Sequence, residues 1–169
     1  MDFEKIEKIA ESLVEKYFIS EPPINVKLLA EKEGFSVLEE NLNAEVSGFL
    51  IIESNKKVIG IDKSENNKRR NRFTIAHEMG HYYLHHLDSG THIDERIVYN
   101  RGKYSNRRET EANVFAAALL MPTPIIKQTI KKNFKRLIDE NDIIKLAKQF
   151  EVSEIAMTFR LKNIGIADF

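Results

Sequence analysis

Three residues within a stretch of five carry the chemistry this chain can do: His77, Glu78 and His81, within Arg72-Phe73-Thr74-Ile75-Ala76-His77-Glu78-Met79-Gly80-His81-Tyr82-Tyr83-Leu84-His85-His86. Residues four apart on a helix lie one above the other. A helix here therefore offers two imidazoles to one cation, with a carboxylate beside it, as in His-Glu-x-x-His metallopeptidases. The competing reading is a pair of surface histidines on a polar helix face.

A catalytic zinc takes three protein ligands and keeps one position for water. Extension of the motif to a third histidine is excluded, because the required glycine and histidine positions hold Leu84 and Leu87. The other common solution is a glutamate from a later helix, and Glu109 and Glu111 compete for it. They lie two apart and so face different sides of a helix. Glu109 has Asn113 one turn later, where an amide can orient a histidine ligand through its free ring nitrogen, which favours Glu109. Glu111, with Phe115 one turn later, reads as a helix-terminus charge. His85 and His86 fall near the end of the motif helix, where histidine is favourable. His92 reads as a surface histidine, with Tyr99, Tyr104 or His92 as candidate second oxyanion donors.

The elements that must position these groups read as α+β, mostly helical, with a small, largely antiparallel sheet beside the motif helix. Phe3, Ile6, Ile9, Ala10, Leu13, Val14 and Tyr17 mark an amphipathic helix that Pro22-Pro23 ends. A short helix over Ile24 to Glu33 closes at Gly34, and Phe35 to Leu38 reads as a strand. Ser47 to Glu53 and Lys57 to Asp62 form a hairpin around Ser54-Asn55-Lys56. Ser64 to Asn67 offers caps for the motif helix, whose inner face is expected to be Phe73, Ala76, Gly80, Tyr83 and Leu84. Gly80 in mid-helix costs about 1 kcal/mol against alanine, which suggests a backbone passing close by.

Asp88 to Arg108 reads as a long irregular excursion, followed by an alanine-rich helix from Glu109 to Met121 and another from Pro124 to Leu137. Ile143 to Leu161 resembles a helix-turn-helix. Its second half offers Ile155, Ala156, Met157 and Phe159, with only Arg160 and Lys162 basic, so helix packing is favoured over direct nucleic-acid binding.

Composition agrees with a soluble protein. The 169 residues contain no cysteine, and Lys+Arg and Asp+Glu each total 26, so no net basic field draws the chain to polyanions. The N-terminus lacks the apolar run of a signal peptide or membrane span, and a cytoplasmic protein without membrane attachment is expected.

The segments Arg72 to His81 and Glu109 to Pro122, in that order, resemble the ImmA/IrrE family of zinc metallo-endopeptidases. The chain looks like the short form without a C-terminal sensor, one metallopeptidase domain over residues 1–169. The resemblance implies Zn2+ held by His77, His81 and Glu109, Glu78 as general base in gluzincin-type water activation, and Asn113 behind a ligand. It also implies a protein substrate, an XRE-like helix-turn-helix repressor inactivated by cleavage in mobile-element or stress regulation. The alternative is a non-catalytic, toxin-antitoxin-type binding module that sequesters a repressor.

Overall fold

A computed structural model describes residues 2–43, 46–54, 56–87, 90–95, 107–134 and 138–166. Among the described residues there are seven helices and four strands, in the order α1 (Phe3–Lys16), α2 (Val26–Lys32), β1 (Phe35–Glu40), β2 (Val46–Glu53), β3 (Lys56–Asp62), α3 (Lys68–Tyr83), β4 (Gly90–Glu95), α4 (Arg107–Leu120), α5 (Thr123–Asn133), α6 (Glu140–Phe150) and α7 (Glu154–Asn163). Local signals account for most boundaries. Asp2, Asn25, Asn67 and Ser153 accept backbone N–H groups at the starts of α1, α2, α3 and α7, and Asp139 with Asp142 builds a reciprocal cap on α6.

The sheet order is β1-β3-β2-β4. β2 runs antiparallel to both β3 and β4, and only β1 is parallel to its neighbour β3. The hairpin pairs Glu53 with Lys56 and Gly48 with Ile61. β4 replaces part of the irregular excursion expected after Asp88. Six residues with a single clear β-branched alternation, Thr91 and Ile93, carry too little periodicity to stand out in a polar stretch; their pairing with β2 supplies the order.

α3 lies between the sheet and α4, and α1 also packs on α4. Enclosed in this way, α3 buries Thr74 through His81 without interruption. The expected inner face is therefore corrected at Phe73, which is 37% exposed; a helix covered on two sides buries a run, not a stripe. Gly80 meets the anticipated backbone: a Cβ there would stand 3.2 Å from both Cα and O of Ala112 on α4.

Two polar nodes tie the helices together. Glu33, just past α2, accepts from Lys16 Nζ of α1, from the OH of Tyr17 that caps α1 and from Tyr83 OH of α3, each at 2.6 Å. Arg160 of α7 is 2% exposed. It donates to Met121 O at 3.0 Å, to Glu7 at 2.6 Å and to Thr123 Oγ1 at 3.0 Å, so one of the two basic residues on the second helix of the helix-turn-helix-like pair serves internal packing.

Candidate metal centre

Successive turns of α3 place His77 and His81 with their Nε2 atoms 3.0 Å apart. The first turn of α4 brings Glu109 across from them, Oε2 at 3.2 Å from His77 Nε2 and Oε1 at 3.4 Å from His81 Nε2. Ligands of a tetrahedral ion with bonds of about 2.0–2.1 Å stand about 3.3 Å from one another, so the donor set fits a small divalent cation. These three residues could hold a metal ion.

Protonation agrees with that fit. His77 Nδ1 lies 3.0 Å from Asn113 Oδ1. A carbonyl oxygen only accepts, so Nδ1 carries the hydrogen and Nε2 faces Glu109 and His81 as a lone pair. Burial pushes the His81 imidazole down to about 4, leaving it neutral at physiological pH. Burial alone would raise the Glu109 carboxyl, but contacts with His77, His81 and His92 outweigh it and hold the group ionised. Lone pairs and a carboxylate that converge at this spacing repel one another unless a cation lies among them.

Glu78 is fully buried beside the cluster. β2 approaches it at Gly48, where a Cβ would collide with Thr74 Cγ2 and stand 3.5 Å from Glu78 Oε1. A side chain at that strand position would push the sheet away from α3, and the need for glycine was not legible without the packing. β4 contributes His92, whose Nδ1 is 3.5 Å from Glu78 Oε2 and whose Nε2 is 3.5 Å from Glu109 Oε1. Its ring stacks on His81 with centroids 4.0 Å apart. The contacts with Glu109 and Glu78 raise it to about 10. The surface reading of His92 is thus corrected: its side chain is 25% exposed and faces the cluster, because inclusion of β4 in the sheet directs it inward opposite Leu50. Tyr99 and Tyr104 lie outside the described residues.

Glu111 is also corrected. It is buried, with Oε2 at 3.1 Å from His86 Nε2 and Oε1 accepting from Arg107 Nε at 3.1 Å; two side-chain partners fix it where only a helix-terminus charge stabilised by the helix dipole was expected. His85 takes a left-handed φ of 54° just past α3 and stays exposed. The reversal turns His86 inward, with Nδ1 3.2 Å from His81 Nδ1.

With this geometry in place, residues 30–162 match the family model of a peptidase family described as IrrE N-terminal-like domain. An uncharacterized immunity region protein 2 of Bacillus phage phi105 is 32% identical over 135 residues, covering 80% of this chain and 78% of that protein. The radiation response metalloprotease IrrE of Deinococcus radiodurans is 35% identical over 92 residues, 54% of this chain and 27% of that one. A Mycobacterium tuberculosis transcriptional regulator of known structure shares the fold, with TM-score 0.62 and 19% identity over 93% of this chain. The present chain spans 46% of that structure's length.

Proposed function

Because the chain belongs to the ImmA/IrrE (IrrE N-terminal-like) peptidase family, we propose that it is a zinc-dependent endopeptidase that cleaves a protein, an XRE-like helix-turn-helix repressor. The observation that carries this reading is the convergence of His77, His81 and Glu109 beside the buried carboxylate of Glu78. The phage relative's name, an immunity region protein, supports a regulatory target.

His77, His81 and Glu109 would hold a divalent ion, which would supply Lewis acidity toward a water and a carbonyl oxygen. Glu78 takes a proton from the attacking water and passes it to the leaving amine nitrogen. Asn113 keeps His77 in the tautomer that presents Nε2. His92, on the strand that borders the cluster, donates a ring N–H to the carbonyl oxygen as negative charge develops there. Among the described residues no helix is long and apolar enough to cross a membrane, and action in the cytoplasm, where a repressor works, is part of the proposal.

The test is to purify the protein with its metal and incubate it with the helix-turn-helix protein encoded beside it. The native protein should carry one zinc per chain and cut that protein. Glu78→Gln should keep the metal while cleavage falls by about 10²- to 10⁴-fold. A preparation that binds no metal sinks the reading. Regulation that survives Glu78→Gln unchanged would favour a sequestering module instead.

A further inference from the structure

The contact of His86 with Glu111 has a direct bearing on His81. We propose that Glu111 and His86 are positioning residues that fix the hydrogen of His81 on Nδ1 and thereby strengthen its Nε2 as a metal donor. The inference rests on the reading of His81 as a ligand.

Hydrogen counting along the chain of contacts leads to it. Glu111 receives Arg107 Nε on Oε1 and faces His86 Nε2 with Oε2, 3.1 Å away. A carboxylate accepts only, so His86 Nε2 carries a hydrogen. A neutral His86 then presents Nδ1 as a lone pair. Two ring nitrogens 3.2 Å apart with no cation site between them among the described residues, as His86 Nδ1 and His81 Nδ1 are, share one hydrogen, and it must sit on His81. That leaves His81 Nε2 bare toward His77 and Glu109, as ligation requires. The opposite assignment would put the hydrogen of His81 on Nε2 and turn a donor into an obstacle.

The surroundings hold this chain in place. The side chains of His86 and Glu111 are 6% and 8% exposed, so water competes weakly for their hydrogen bonds. His86 donates its backbone N–H to His81 O at 2.9 Å, and its own carbonyl accepts from Arg108 at 3.2 Å. The first two turns of α4 thus supply three groups to the histidines of α3: Glu109 faces both Nε2 atoms, Asn113 holds His77 from behind, and Glu111 holds His81 through His86. Both imidazoles are backed by an acceptor, one directly and one by relay.

Zinc affinity of the full chain, measured by competition with a chelating dye, tests the inference together with cobalt(II) absorption and 15N NMR of the ring nitrogens. Glu111→Ala and His86→Ala should weaken zinc binding by about 10- to 100-fold, and Glu111→Asp should recover part of the loss. In the native protein the ring spectra should show hydrogen on Nδ1 of His81 and on Nε2 of His86. Native affinity in both alanine variants, with an unchanged cobalt spectrum, overturns the proposal and leaves the metal centre intact. Hydrogen on Nδ1 of His86 in the native protein overturns it even where the variants do not fold. If the native chain binds neither zinc nor cobalt, the metal reading itself fails.

Discussion

Gly48 and His92 set limits on the site from the sheet side. A methyl group at Gly48 collides with Thr74 one turn before Glu78, and overpacking of this kind costs about 1–3 kcal/mol. Gly48→Ala should lower the melting temperature and reduce the proposed peptidase activity by more than the stability loss explains, because the shift falls on the helix that carries Glu78, the proposed base. Activity retained at full level in a folded Gly48→Ala protein would show that the strand does not set the position of Glu78. His92→Ala should keep zinc stoichiometry and lower the turnover rate by about 10²-fold or more, as loss of an oxyanion donor does. A rise in KM alone would assign His92 to substrate binding.

At the scale of elements, α2, α1 and α3 meet at Glu33. Burial would raise this carboxyl, yet hydrogen bonds from Lys16, Tyr17 and Tyr83 bring it from 4.5 down to about 2. A group depressed on folding contributes stability above its unfolded value and loses it as pH falls through the folded one. The contribution is therefore complete above about pH 4.5 and vanishes toward pH 2, amounting to about 1–3 kcal/mol after allowance for the exposed Lys16. Glu33→Gln should lower stability at pH 7 and flatten its decline in that acid window, measured by urea unfolding. An acid profile identical to that of the native protein would remove Glu33 from the account.

The same scale shows what could be read in advance. The pair His77 and His81 follows from a spacing of four, and the approach of α4 was foreshadowed by the cost of Gly80. Asn113 was legible because one helical turn from Glu109 places it behind the same neighbour. β4 and the inward face of His92 were not legible, since strand order comes from cross-strand pairing with β2, far away in sequence. The partnership of Glu111 with His86 depended on the left-handed residue His85, which is neither glycine nor asparagine and gives no local signal.

For the molecule as a whole, Arg160 joins the C-terminal helix pair to α1 and to the α4–α5 turn. Arg160→Ala leaves Glu7 and the Met121 carbonyl without their donor, and removal of one partner from a buried charge network costs about 3 kcal/mol. Unfolding should remain a single transition at lower denaturant; a separate early transition would mean that α6 and α7 are held by other contacts. The close approach of α3 and α4 at Gly80 and Ala112 has a further effect. Because the two histidines stand on one helix and the glutamate on the other, an ion that engages all three can bind only while these helices are docked. Folding and loading would then be linked equilibria: at a thousandfold excess over Kd, a bound ion would add about 4 kcal/mol to stability, and a chelator should act on the loaded protein as a mild denaturant.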